Sequence, residues 1–293
     1  MTREEFVEKI TADIAKKITD VTIHKTNVKK TNRTYEALVI KKESMGICLD
    51  LDALYNNVKR DGYDVVYENV IESIKERDHF GEELKSSLDL DNEESVKKRL
   101  ICSVVSAEKN EQLLSDIPYR RIGDTDLVFI YKIQLNADDE TIAHALVQNG
   151  LLELLHMTNE ELHKVALQNT SKNLPVMIKS LYEIVHLKPD DDDQIRVVSN
   201  CKSYLGATAL FYPGVLEEIE DKVGGGYYVL PSSIHEVLIY PETMRFDIEY
   251  LSSTVRVVNR TQVLPEDVLS DNVYHYDTVT GFKNAMEYEK GKK

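Results

Sequence analysis

The stretch GGGYYVLPSSIHEVLIYPE, residues 224–242, carries the clearest prediction about the fold. A run of glycines precedes an aromatic and aliphatic segment, which Pro231 and two serines interrupt before a second aliphatic segment begins. Glycine commonly ends helices, proline with serine forms turns, and bulky β-branched or aromatic residues favour strands. The order therefore predicts a helix end, a strand, a turn and a returning strand that pairs with the first.

The same stretch contains residue types that hydrolases use. Ser233, His235 and Glu236 lie close together in sequence, and a serine beside a base is the core of a nucleophilic site. The GxSxG elbow that usually presents such a serine is absent from the sequence, and no second histidine completes an HExxH zinc motif. A structural turn is the favoured interpretation, and a hydrolase centred on these three residues is the alternative.

Working outward, the order strand, helix, strand, strand, helix is predicted twice. RLICSVVS, AEKNEQLL, DLVFIYKIQL and TIAHALVQ lead to a helix whose capping box is Thr158 with Glu161. IRVVS, a helical segment interrupted by Pro213, the opening stretch and a helix over about 245–258 form the second series. The pattern favours two similar units, 93–187 and 194–293, joined by an acidic linker at 187–194 whose consecutive aspartates favour solvent.

The first 92 residues predict a separate helix, hairpin and helix region. Thr2 and Glu5 form a capping box for a helix to about residue 17, and two strands flank the polar segment KTNVKKTNR. A short strand after Gly46 runs into a helix at Asp50, and a helical stripe covers residues 64–77. The predicted fold class is α+β, with small mixed or antiparallel sheets covered by helices.

The charge balance limits the partners. The chain has 36 basic and 51 acidic residues, a net charge of −15, which repels nucleic acid and anionic lipid over most of the surface. Residues 24–42 are the exception, because they are rich in lysine and arginine and contain the single acid Glu36. The candidate binding residues are Lys25, Lys29, Lys30 and Arg33. The alternative is that these charges protect a sheet edge from aggregation.

Other patterns indicate a cytoplasmic protein without cofactors. The three cysteines form no CxxC pair, the N-terminus does not resemble a secretory leader, and no apolar run is long enough to cross a membrane. Three Glu-x-x-His pairs occur, at Glu153, Glu160 and Glu183, but a di-iron bundle also requires glutamates from facing helices. We therefore predict no metal and no cofactor.

Several segments together resemble a known family. ICSVVSAEKNEQLLSDIPYRRIGDTDLVFIYKI, MTNEELHKVALQNT, LFYPGVLEEIEDKVGGGYYVLPSSIHEVLIYP and VNRTQVLPEDVLSDNVYHYDTVTG are similar to an uncharacterised domain-of-unknown-function family of anaerobic Gram-positive gut-type bacteria. The resemblance covers nearly the whole chain. It implies a bacterial, intracellular protein and carries no established activity, cofactor or catalytic residue.

The preferred functional hypothesis is a non-catalytic cytoplasmic protein that binds another macromolecule, most simply a protein. Nucleic acid is expected only through the basic 24–42 hairpin, and membrane is not expected as a partner. Two alternatives stay open, the hydrolase and an acidic decoy that occupies a nucleic-acid-binding partner. The sequence leaves the oligomeric state open.

Overall fold

The computed structural model describes residues 1–42, 45–87, 92–135, 144–186 and 194–292. The chain divides into two compact units, Met1–Asp91 and Asn92–Lys293. The predicted acidic linker lies outside the described residues except for Gln194.

The first unit begins with the predicted capped helix. Its elements are α1 (Arg3–Lys17), β1 (Thr22–Lys30), β2 (Arg33–Lys42), β3 (Met45–Asp50), α2 (Leu51–Asp61) and α3 (Tyr63–Ser87). The Thr2–Glu5 capping box is present, and Asp50 caps α2 through the N–H groups of Asp52 and Ala53. These helix starts confirm the predictions from sequence.

The three strands form an antiparallel sheet in the order β1-β2-β3. The β1–β2 ladder runs from Thr22 opposite Lys41 to Lys30 opposite Arg33. Most of the predicted polar turn is therefore strand, and the turn itself is confined to residues 31–32, where Asn32 has φ +58°. Ladder hydrogen bonds satisfy the backbone of these polar residues, which explains the longer strands.

Helices cover one face of this sheet. Leu38 and Ile40 of β2 pack with apolar residues of α1 and α3 in one buried core. Side chains alternate between the two faces of a strand, so the neighbouring residues of β2 point away from this core. The face opposite the helices, which we call the outer sheet face, carries His24, Thr26, Val28, Lys30, Arg33, Tyr35 and Lys41.

The second unit contains the remaining elements. Its helices are α4 (Glu93–Lys98), α5 (Glu111–Leu114), α6 (Asn149–Leu154), α7 (Asn159–Asn173), α8 (Leu181–Ile184), α9 (Val215–Val223), α10 (Ile248–Thr261) and α11 (Ala285–Gly291). Its strands are β4 (Leu100–Ser106), β5 (Tyr119–Arg121), β6 (Leu127–Gln134), β7 (His144–Leu146), β8 (Val176–Ser180), β9 (Arg196–Asn200), β10 (Tyr227–Pro231), β11 (Val237–Pro241), β12 (Tyr274–Tyr276) and β13 (Lys283–Asn284).

These strands form two antiparallel sheets. In the four-stranded sheet, β6 pairs with β4, β5 and β7, and the six-stranded sheet has the order β13-β12-β10-β11-β9-β8. Strand β8 precedes the acidic segment and pairs with β9, which follows it. The acidic segment therefore does not separate one sheet from the other. The predicted α+β class with small antiparallel sheets and helices is confirmed.

The opening stretch folds as predicted. Helix α9 ends at Val223, and Gly224 follows in the left-handed region with φ +79°. Strands β10 and β11 pair from Tyr227 opposite Pro241 to Pro231 opposite Val237. Residues 232–236 form the turn between them. Within the described part of the chain, no helix is both long enough and apolar enough to span a bilayer.

Candidate functional site

The three sequence-predicted catalytic candidates lie in the turn between β10 and β11. The Ser233 hydroxyl accepts a hydrogen bond from the backbone N–H of His235 at 3.0 Å. The Ser233 N–H donates to the carbonyl of Glu236 at 3.1 Å, which closes the turn. The Ser232 hydroxyl approaches Glu236 Oε1 at 3.4 Å. These contacts are those of a serine-stabilised turn.

The His235 ring makes its hydrogen bonds outside this turn. Its Nδ1 accepts from the backbone N–H of Leu205 at 3.1 Å, and its Nε2 lies 3.3 Å from Asp267 Oδ1. Because an N–H donor occupies Nδ1, the proton of the neutral imidazole is assigned to Nε2, which donates to the carboxylate. The basic nitrogen therefore faces a backbone amide.

This arrangement differs from a serine nucleophile with its base. Such a site requires a hydrogen bond from the serine hydroxyl to an imidazole nitrogen. In the described residues no hydrogen bond joins the Ser233 hydroxyl to the His235 ring, although the two residues are close in sequence. The structure brings the candidates into one turn without giving them the relative orientation of a catalytic pair.

The turn is also fastened to its neighbours. The His235 carbonyl accepts from the Ser199 hydroxyl at 2.7 Å, and the Ile234 N–H donates to the Asp267 carbonyl at 2.8 Å. A Cβ on Gly206 would lie 2.4 Å from the His235 carbonyl oxygen and 2.2 Å from the Ser199 hydroxyl. Only glycine fits this close approach, so the backbone around His235 is tightly specified.

Two residues near His235 escaped the sequence analysis. The hydroxyl of Tyr204 lies 2.6 Å from His144 Nδ1, and its ring centroid is 6.0 Å from that of His235. Burial raises the pKa of Tyr204 to about 12, so its hydroxyl stays protonated at neutral pH. His144, Tyr204 and His235 come from three separate segments, and no sequence spacing could have linked them.

The four basic candidates divide between the two faces of β1 and β2. Lys30 and Arg33 are opposite each other on the outer sheet face, whereas Lys25 and Lys29 belong to the helix-side face. Lys25, Lys30 and Arg33 are exposed, and Lys29 is half-buried. The alternation places basic side chains on both sides of the β1 edge.

An aromatic ring lies among the charges of the outer sheet face. The Tyr35 centroid is 5.8 Å from Lys30 Nζ and 4.9 Å from Arg33 Cζ, within the range of cation–π contacts. Arg33 also forms an ion pair with Asp50 at the end of β3. Lys41 is exposed on the same face, opposite Thr22.

A second histidine site lies in the six-stranded sheet, at His275 on β12. Its side chain is fully buried, with Nε2 3.6 Å from Glu242 Oε2 and Nδ1 3.6 Å from Asp277 Oδ2. In the described residues neither ring nitrogen has a hydrogen-bond partner. Tyr288 of α11 stacks on the ring, with centroids 3.4 Å apart and planes at 10°. Burial lowers the pKa of His275, and the two carboxylates oppose that shift.

The glycine run contributes to this second site. A Cβ on Gly226 would lie 3.0 Å from Glu242 Oε2 and 3.2 Å from His275 Nε2. Gly224 therefore ends a helix as predicted, whereas Gly226 makes room for a carboxylate and an imidazole. The first role is local and follows from the sequence, whereas the second depends on contacts with the distant Glu242 and His275.

The Glu-x-x-His pair on α7 makes other contacts. Glu160 forms an ion pair with Arg120, and His163 Nδ1 lies 3.2 Å from the Tyr131 hydroxyl. His156 has φ +49° and precedes the Thr158 cap, as the sequence predicted. Across the described residues, no three histidine, cysteine, aspartate or glutamate side chains cluster as metal ligands.

An open cavity of about 530 Å³ lies beside β5 and α5. Its lining includes Glu108, Glu111, Asp124 and Asp126, together with Arg121. Hydroxyl groups of Ser106, Ser270 and Tyr274 donate to the Asp126 carboxylate. None of the sequence-predicted catalytic residues lines this cavity.

The described residues define an α+β protein with a basic edge strand, β1, and two histidines in contrasting environments. The chain belongs to a family of unknown function, DUF5688, whose model matches residues 3–278. This finding confirms the resemblance to an uncharacterised family that carries no established activity. No curated protein and no solved structure matches the chain.

Proposed function

We propose that this is a non-catalytic cytoplasmic protein that binds an acidic, extended segment of a partner protein along the edge of β1. The observation that carries the proposal is the position of β1. It pairs with β2 alone among the described residues, so its other edge is open, and its basic side chains project on both faces.

An open strand edge offers backbone groups to an incoming strand. Strand addition gains affinity from main-chain hydrogen bonds and specificity from alternate side chains. Lys25 would face the carboxylates on one side of an added strand, and Lys30 would face those on the other. Tyr35 and Arg33 extend this surface across the outer sheet face.

The charge distribution favours protein over nucleic acid. A net charge of −15 repels a long polyanion over most of the surface, whereas a short acidic segment can avoid the repelling regions. Single-stranded nucleic-acid sites also combine a basic groove with several stacking aromatics. Tyr35 is the aromatic residue of β1 and β2, so the outer sheet face offers one ring.

Affinity purification from the native host followed by native mass spectrometry tests the proposal. The wild type is compared with Lys25→Glu/Lys30→Glu, which reverses charge on both faces of the edge. Lys164→Glu/Lys172→Glu on α7 is the matched control, because both lysines are exposed and the charge change is the same. We expect a stoichiometric protein partner that the wild type and the control retain and the edge variant loses. Retention should weaken steeply with salt.

Several outcomes contradict the proposal. Equal retention by the wild type and the edge variant would remove the β1 edge as the site. A basic partner retained by both the wild type and the edge variant would support the hypothesis of an acidic decoy. Association of a single-stranded RNA oligonucleotide that depends on Lys30 would favour nucleic acid. Turnover in a broad hydrolase screen, abolished by Ser233→Ala, would show a catalytic function instead.

A further inference from the structure

Helix α10 of the second unit has an exposed apolar stripe. Tyr250 is 64% exposed and Val257 is 50% exposed, although both are large hydrophobic residues. They are seven residues apart, two helical turns, so they lie on one line along the helix, with Ser253 between them. The opposite side of α10 is buried through Leu251 and Val255.

The two flanks of this stripe differ in charge. Glu249 and Arg256, also seven residues apart, lie on one flank and are exposed. Thr254 and Thr261 lie on the other, where their hydroxyl groups donate to backbone carbonyls within α10. The exposed Arg260, four residues after Arg256, lies on the same flank as Glu249 and Arg256. This flank therefore has an acidic N-terminal end and a basic C-terminal end, whereas the second flank is uncharged.

This pattern is self-complementary in one orientation. A two-fold axis perpendicular to α10 at Ser253 would bring the same flank of two copies together in opposite directions. Glu249 of each copy would then face Arg256 of the other, which gives two ion pairs. Tyr250 of each copy would likewise face Val257 of the other. In a parallel pair, the charged flank of one helix would instead face the threonine flank of the other. Flanking ion pairs of this kind set the orientation of paired helices, and a shared patch is the signature of a two-fold interface.

We propose that α10 pairs antiparallel with α10 of a second copy of this chain, centred on Ser253. The small side chain of Ser253 allows the helices to approach at the axis. The stripe is formed by residues of the second unit and the β1 edge by residues of the first, so this proposal does not depend on the proposed function.

The expected association is weak. A helix of 14 residues is about 21 Å long, and the patch it offers is smaller than the roughly 800 Å² per partner of a standard interface. We therefore expect a dissociation constant in the micromolar range. Physiological salt shortens the Debye length to about 8 Å, which screens the repulsion between two chains of net charge −15.

Sedimentation equilibrium of the full chain from about 5 to about 200 µM tests the pairing. A reducing agent prevents disulfides through the exposed Cys48 and Cys201. We expect a monomer–dimer equilibrium for the wild type. Glu249→Arg and Arg256→Glu should each weaken dimerisation at least about ten-fold, because each places like charges opposite one another.

Charge exchange gives the decisive measurement. An equimolar mixture of Glu249→Arg and Arg256→Glu should dimerise as the wild type does, because each interface pair again joins opposite charges. The double variant Glu249→Arg/Arg256→Glu should behave likewise. Glu68→Arg on α3 and Lys172→Glu on α7 are controls with the same charge changes, and both should leave dimerisation unchanged.

A wild type that stays monomeric throughout this range would overturn the proposal and leave the stripe to a different partner. Single variants that dimerise as well as the wild type would also overturn it. So would a mixture that fails to recover. Circular dichroism confirms that each variant is folded before it is compared.

Discussion

His235 and His275 lie in the same half of the chain and have opposite environments. His235 is about one-third exposed, and both of its ring nitrogens have polar partners, the Leu205 N–H and Asp267. His275 is fully buried between two carboxylates, and within the described residues its nitrogens make no hydrogen bond. The histidine that stands beside serines in the sequence is the one whose polar groups are satisfied.

The comparison shows that catalytic residue types in sequence are a poor guide to chemical environment. The His235 imidazole, with a polar partner at each nitrogen, holds the turn against Leu205 and Asp267. A buried imidazole without hydrogen bonds leaves its polar atoms without compensation for the loss of water, and burial also disfavours its charged form. The pKa of His275 is shifted, as are those of Glu242 and Asp277 beside it, and of these three residues only Glu242 belongs to the stretch 224–242.

The largest expected effect is at the His235 turn. Gly206→Ala places a Cβ 2.2 Å from the Ser199 hydroxyl and 2.4 Å from the His235 carbonyl, so the backbone must shift. We expect the free energy of unfolding to fall by about 3 kcal/mol in urea denaturation followed by circular dichroism. Gly150→Ala is the control, since nothing lies within 4 Å of its Cβ, and it should be neutral or stabilising by up to about 1 kcal/mol. A similar small change at Gly206 would contradict the tight fit.

The next effect concerns His275. His275→Gln loses the stacking with Tyr288 and leaves Glu242 and Asp277 around a poorer partner, which should cost about 2 kcal/mol at pH 8. Tyr288→Phe keeps the stacked ring and loses the 3.2 Å hydrogen bond to Glu242, so it should cost about 1 kcal/mol. Urea denaturation measures both. Equal losses would contradict a larger contribution of the imidazole than of the Tyr288 hydroxyl.

The pH dependence of the free energy of unfolding tests the environment of His275. Burial lowers the pKa of His275 in the folded protein below its ordinary value of about 6.5, so the unfolded chain binds more protons below that pH. The wild type should therefore lose stability as pH falls from about 6.5 towards 5, by at most about 1.4 kcal/mol per pH unit. His275→Gln should lack this component, so its deficit relative to the wild type should shrink. A deficit that grows would show that His275 gains a proton on folding.

The smallest effect is expected at Asp267. Asp267→Asn keeps the shape and removes the charge beside His235 Nε2, and both side chains are about one-third exposed. Solvent screens such pairs, so the free energy of unfolding should fall by less than about 1 kcal/mol, measured by thermal unfolding. A loss larger than that of His275→Gln would show that the contacts of His235 contribute more to stability than those of His275.

Local signals in the sequence predicted much of the fold. The Thr2 and Thr158 capping boxes start α1 and α7, and Gly224 ends α9, because these residues act within one turn of backbone. The hairpin and the β10–β11 pair follow from alternation and turn residues. Strands β5 and β8 were missed, because their stability depends on pairing with distant β6 and β9.

The candidate sites show the same difference between local signals and contacts of distant segments. The sequence identified the basic segment but did not assign Lys25 and Lys30 to opposite faces, because the pattern of residues 25–33 predicts a turn and not a strand. The contacts of His235 with Leu205 and Asp267 join residues more than 29 positions apart, and the surroundings of His275 join β12 to Gly226 and α11.

The sequence by itself determined the starts of α1, α2 and α7, the end of α9, the β10–β11 pair and the net charge. These properties depend on residues within a few positions of one another. The tertiary structure alone decided which distant groups hold the 232–236 turn, that His275 lies between carboxylates, and that β1 is the edge strand of its sheet among the described residues. Hydrogen-bond partners, burial and strand order depend on chain segments that meet only when the protein folds.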